Sequence, residues 1–125
     1  MDQSELKGKV IAIVDDHKAL LSSLCGFLKS YGARVLAYEN GGQLLMDFPS
    51  VNCIVVDYYL PGLNGLEVAV ALRNRANSAP VILLTGMTSE VPEALAAQAG
   101  VVEIVDKLLG GPGLLSAIHR HVSPH

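Results

Sequence analysis

Val10-Ile11-Ala12-Ile13-Val14-Asp15-Asp16 is a run of five apolar residues that stops on two carboxylates. The pattern returns three times. Cys53-Ile54-Val55-Val56 stops on Asp57, Val81-Ile82-Leu83-Leu84 stops on Thr85, and the shorter Ile104-Val105 stops on Asp106-Lys107. Apolar runs of this length without polar alternation predict strands of a parallel sheet covered on both faces. Ligands of such sheets bind outside the carboxyl ends of the strands. Three acids, one hydroxyl and one ammonium are therefore expected at one edge. That set suits a divalent metal and a phosphoryl group.

Helical patterns fill the gaps between these runs. Residues 18–30 carry Leu20, Leu21, Leu24, Phe27 and Leu28 at helical spacing. Asp16 is expected to cap this helix and Gly32 to end it. Residues 34–38 read as a second strand, Gly41 to Phe48 as a short helix closed by Pro49, and 53–57 as the third strand. Turn formers crowd Tyr58 to Gly65. A helix over 66–76 turns Leu66, Val68, Ala69 and Leu72 inward, and the fourth strand spans 81–85. A helix over 90–99 takes Pro92 in its first turn and ends at Gly100. The fifth strand spans 102–106, Gly110-Gly111-Pro112-Gly113 reads as a loop, and 114–122 as the last helix. The predicted fold class is α/β. It is a flavodoxin-like (βα)5 doubly wound five-stranded parallel sheet of strand order 2-1-3-4-5. In that order the first and third strands are neighbours, so Asp15, Asp16 and Asp57 lie side by side.

The totals narrow the function. A chain of 125 residues suits one domain over 1–125, with residues 1–8 expected as a flexible N-terminal segment. Half the residues are apolar and 17% are charged, enough to fill a core. A net charge of −3 without a basic run argues against nucleic-acid binding. The apolar runs fall well short of the ~20 residues of a membrane helix. Met1-Asp2-Gln3-Ser4-Glu5 is acidic and polar, unlike a signal peptide. Cys25 and Cys53 read as buried free thiols, which fits a reducing cytoplasm.

Three crowded carboxylates repel one another unless a cation relieves them. Mg2+ does so with oxygen ligands and retained waters. Lys107 brings a compact positive charge toward the same phosphate, and Thr85 a hydroxyl donor. Asp57 is the natural nucleophile, since a carboxylate can attack phosphorus to form an aspartyl phosphate. His17 reads as a rim residue of the site, and Tyr58 and Tyr59 as residues that shape access. His119, His121 and His125 read as surface residues, because no zinc-ligand spacing is present.

Four segments carry a resemblance: IVDDH at 13–17, VVDYYLPGLNG at 55–65, ILLTG at 82–86 and IVDK at 104–107. In order and placement they resemble the receiver domain of two-component response regulators of the CheY-like type. The resemblance implies Asp57 as phospho-acceptor and Mg2+ as cofactor. The metal would be held by Asp16 directly, by Asp15 mostly through water, by Asp57, and by the backbone carbonyl of Tyr59. Thr85 and Lys107 would bind the phosphoryl group. The donor would be a phosphohistidine on a sensor histidine kinase or a phosphotransfer protein. The chain would be a cytoplasmic signalling switch with no separate substrate, and homodimerisation stays open.

Two positions depart from the family pattern. Leu108 stands where receivers usually have proline, which leaves the Lys107–Leu108 bond open between cis and trans. Ile104 stands where they usually have Tyr or Phe, so an aromatic swing coupled to Thr85 is unavailable. These departures motivate an alternative: a degenerate receiver acting as a phosphorylation-independent interaction module. Leu108 and Leu109 read equally well as an exposed protein contact or as packing on the last helix. A phosphatase with an aspartate nucleophile is disfavoured, because its general acid would stand at Tyr59. A flavin-binding flavodoxin lacks its phosphate loop after the first strand.

Overall fold

The computed structural model describes residues 5–122. Five strands alternate with five helices: β1 Val10–Val14, α1 Lys18–Ser30, β2 Arg34–Tyr38, α2 Gly41–Asp47, β3 Cys53–Asp57, α3 Gly65–Asn74, β4 Val81–Thr85, α4 Glu93–Gln98, β5 Val101–Asp106 and α5 Gly110–Val122. Short 3-10 turns span Thr88–Glu90 and Lys107–Leu109. The sheet is parallel in the order β2-β1-β3-β4-β5, as the sequence predicted.

β3 and β4 are buried at every residue, which is why their sequences lack polar alternation. Alternate residues of each strand face opposite sides. On one face Ile11, Ile13, Val55 and Ile82 pack with Leu28, Leu114 and Ile118 of α1 and α5. On the other, Ala12, Val14, Ile54 and Val56 pack with Leu44, Val68 and Leu72 of α2 and α3. A third, small cluster of Leu83, Val91 and Ala96 backs α4. The register pairs Val14 with Val56, Asp57 with Leu84 and Thr85 with Asp106. The polar residues after β1 and at the ends of β3, β4 and β5 are thereby delivered to one edge.

Several expected boundaries are corrected. His17, not Asp16, caps α1: its Nδ1 accepts the Leu20 N–H at 3.2 Å. The Asp15 carboxylate accepts the His17 N–H at 2.9 Å, and this local turn moves the cap one residue on. α2 stops at Asp47, because Phe48 is left-handed at φ 39°. α3 begins at Gly65, where Asn64 and Glu67 form a capping box, and ends before Ala76, which is left-handed at φ 58°. The helix expected over 90–99 is only α4. Val91, which precedes a proline, stays extended, and Pro92 is the cap rather than part of the first turn. β5 starts one residue early, at Val101.

The expected loop Gly110-Gly111-Pro112-Gly113 is the first turn of α5. Proline is tolerated there because a first-turn N–H has no partner within the helix. Gly111 lies against the Phe27 ring of α1, where a Cβ would come within 2.5 Å of the ring. The glycines thus permit close packing instead of a loop. Of the segment 1–8, residues 1–4 lie outside the described residues, as does His125. Within the rest, Leu6 is fully buried and its N–H donates to the Tyr31 carbonyl at 2.8 Å.

Candidate functional site

Asp57 ends β3 with 2% of its surface exposed. Its Oδ2 accepts from Lys107 Nζ at 2.8 Å, and its Oδ1 accepts the Tyr59 N–H at 3.3 Å. The β3–β4 ladder continues one residue further, through the Tyr58 N–H to the Leu84 carbonyl at 2.8 Å. The Gly65 N–H then donates to the Tyr58 carbonyl at 2.9 Å. A Cβ at Gly65 would lie 2.7 Å from the Asp57 carbonyl oxygen, so only glycine lets α3 begin this close to Asp57.

Asp15 is fully buried, and its Oδ2 has no hydrogen-bond partner. Lys107 Nζ lies 3.6 Å from that oxygen. Asp16 is exposed. Asp15, Asp16 and Asp57 each offer an oxygen, all within 4.8 Å of one another. Thr85 is fully buried at the end of β4, where its hydroxyl oxygen accepts the Met87 N–H at 3.1 Å. The hydroxyl proton remains available to donate.

The charges are unbalanced. Burial pushes the Asp57 carboxyl above the usual carboxylate range; the Lys107 hydrogen bond opposes this, and the Asp15 charge adds to it. Burial draws the Lys107 ammonium down. Its hydrogen bond to Asp57 and the charges of Asp57 and Asp15 outweigh that, and its pKa ends raised. One ammonium thus stands against three carboxylates. The buried Asp15 oxygen that accepts no hydrogen bond and the all-oxygen donor set fit a small hard cation such as Mg2+.

The structure therefore brings Asp15, Asp16, Asp57 and Lys107 together, and sets Thr85 at the neighbouring strand end. The Tyr59 peptide sits at the rim through its N–H bond to Asp57. The Tyr59 side chain is exposed, lies edge-on to Tyr58, and hydrogen-bonds Glu90 of the β4–α4 loop. His17 is exposed beside the acid pair. His119 and His121 lie elsewhere: His119 is 3.9 Å from Glu5, and His121 is half-buried, 2.8 Å from Glu103. Cys25 and Cys53 are buried free thiols, as expected, and burial pushes the Cys53 thiol up to about 12.

Around Lys107 the departures from the family pattern have clear outcomes. Among the described residues no peptide bond is cis, so the Lys107–Leu108 bond is trans. Leu108 and Leu109 are exposed, at 86% and 60%. Ile104 is half-buried against the small cluster behind α4. The strand-end pattern does not single out Asp106. Its Oδ1 accepts the Leu108 N–H at 2.8 Å, and an Asp two residues before a turn amide was the available signal.

The model of the response regulator receiver domain matches residues 11–119 of this chain. The chain belongs to that family. Receivers are signalling modules of two-component systems rather than catalytic enzymes. This receiver is 31% identical over 112 residues to the response regulator protein TmoT of Ectopseudomonas mendocina, covering 87% of this chain. It is 30% identical over 115 residues to the response regulator protein TodT of Pseudomonas putida, covering 90%. It spans 50% of the length of each of these relatives. Response regulator protein TrrA from Thermotoga maritima, solved in complex with Mg2+-BeF, superposes with a TM-score of 0.81 at 27% identity. That match covers 90% of this chain and 97% of TrrA. The Francisella response regulator 1452 receiver domain shares the fold, with a TM-score of 0.84 at 19% identity over 92% of this chain and 97% of that one. Among the described residues no helix is long and apolar enough to cross a membrane.

Proposed function

We propose that this receiver accepts a phosphoryl group on Asp57 and changes its protein contacts in response. The observation that carries the reading is a buried Asp57 carboxylate held 2.8 Å from the Lys107 ammonium, with a buried Asp15 oxygen that accepts no hydrogen bond alongside. An Asp57 oxygen forms the new bond to phosphorus. The bond from phosphorus to the donor's imidazole nitrogen breaks, and its electron pair stays on the imidazole. Such transfer depends mostly on positioning and charge stabilisation. Lys107 passes from Asp57 to an oxygen of the incoming group, and Thr85 donates its hydroxyl proton to another.

Asp15, Asp16, Asp57 and the Tyr59 carbonyl would hold Mg2+, with Asp16 bound directly and Asp15 largely through water. The bound ion would neutralise phosphoryl charge that one lysine cannot. The Mg2+-BeF complex of TrrA supports Mg2+ as the ion. Family membership implies a sensor histidine kinase or phosphotransfer protein as donor, and a cytoplasmic setting follows from that partner. Homodimerisation belongs to the same proposal as a downstream option.

The test is labelling with acetyl phosphate and Mg2+. Wild type should take up acid-labile phosphate, and Asp57→Asn should take up none. Full labelling of the variant would sink the assignment. A second reading, a phosphorylation-independent interaction module, is favoured by the exposed Leu108 and Leu109. Weak Mg2+ binding with no phosphate uptake by wild type would support it.

A further inference from the structure

We infer that Asp106 is the positioning residue for Lys107, acting through the backbone of the turn that carries the lysine. The inference rests on the reading of Lys107 as the group that meets the phosphoryl oxygens. Lys107 opens the short turn Lys107–Leu109 between β5 and α5. Three contacts fix that turn. At its start, Asp106 Oδ1 accepts the Leu108 N–H at 2.8 Å. At its end, the Gly110 N–H donates to the Lys107 carbonyl. Leu109 lies against α5 at Gly113, where an added Cβ would fall 2.3 Å from the Leu109 Cβ.

The Leu108 side chain contributes little, since 86% of its surface is exposed. What the residue supplies is its N–H, which a proline in that position would lack. The turn is thus held by a side-chain acceptor on its first amide, in a chain whose bond after the lysine is trans. Asp106 is itself fixed, because it pairs in register with Thr85 on β4. Its carboxylate therefore links the strand end that holds the hydroxyl to the turn that aims the ammonium. With the turn in place, Nζ reaches Asp57 at 2.8 Å and Asp15 at 3.6 Å while three-quarters of the lysine side chain is buried.

The test compares Asp106→Ala and Asp106→Asn with wild type in two assays. The first is methylation of lysines by formaldehyde and a borohydride, read by mass spectrometry, with exposed Lys7 and Lys29 as internal standards. Loss of a capping acceptor should free the turn and speed Lys107 modification about fivefold. Asp106→Asn keeps an oxygen acceptor and should stay near wild type. The second assay is acetyl phosphate labelling, which should slow by a similar factor in Asp106→Ala and recover in Asp106→Asn.

Equal Lys107 reactivity in wild type and Asp106→Ala overturns the inference. So does an Asp106→Asn variant as fast as Asp106→Ala, because charge and not the hydrogen bond would then be responsible. Lys107→Ala separates the two readings. If it labels at the wild-type rate, the phosphoryl role of Lys107 fails, while the methylation result on Asp106 still stands or falls by itself.

Discussion

At the scale of single residues the site is a conflict among charges, and Asp57 carries most of it. Burial disfavours its ionised form, and the neighbouring Asp15 charge adds to that; the Lys107 bond offsets only part. A carboxyl whose folded pKa is raised binds its proton more readily in the folded state. Folding then loses stability as pH rises from the unfolded to the folded pKa, and the whole penalty is present above the folded value. Asp57→Asn removes the penalty while keeping the shape. The variant should melt roughly 2–5 °C above wild type at neutral pH without added metal. The gap should close as pH falls below the ordinary aspartate range, where the wild-type carboxyl is protonated in both states. Calorimetric melting across pH reads this directly, and a gap that widens toward acid would contradict it. The identity of these residues was legible in the sequence because each stood at the end of an apolar run. The same pattern does not single out Asp106, because its work is a hydrogen bond to a backbone amide. No composition rule distinguishes such an Asp from a solvated one.

At the scale of elements, the strands were legible almost to the residue, and the helix ends were not. A strand such as β3 is declared by five consecutive buried side chains, and burial leaves a mark in sequence. A helix end is decided by one or two backbone angles, as at Pro92, Gly110 and Ala76. Ala76 makes the point measurable. It follows α3, is exposed, and is held left-handed at φ 58° between its own N–H bond to the Arg73 carbonyl at 3.0 Å and the Asn77 N–H bond to the Leu72 carbonyl at 3.1 Å. That conformation costs an L-residue roughly 1–2 kcal/mol, and glycine escapes most of it at some loss of unfolded-state entropy. Ala76→Gly should therefore stabilise the fold by roughly 0.5–1 kcal/mol. The same substitution at Ala71, inside α3, should destabilise by about 1 kcal/mol. Urea denaturation of the pair reads the two signs. If both lose stability, the strain at Ala76 is not real.

At the scale of the whole molecule, anchoring is uneven in a way that bears on signalling. α1 and α5 share one large core with the sheet, and α2 and α3 share the other. α4 has six residues, no side-chain cap, and Ala96 as its single buried residue. Its support is the small cluster of Leu83, Val91 and Ala96, plus an Arg73 bond to the Gln98 carbonyl. Local opening free energies follow such differences in buried apolar contact. Thr85 and the loop that leads to α4 adjoin the proposed phosphorylation site, so a pull on the Thr85 hydroxyl reaches the least anchored helix first. Ile104 packs into the same small cluster and gives the region an aliphatic contact rather than an aromatic lever. Hydrogen exchange of the unphosphorylated protein should therefore find the amides of 93–99 opening at least about 100-fold more often than those in the centre of α1 or of β3. Phosphorylation of Asp57 should change protection at 86–99 more than anywhere in α1. Equal protection of α4 and α1 before phosphorylation would remove the mechanical asymmetry, and with it the reason to expect the signal to leave by this side.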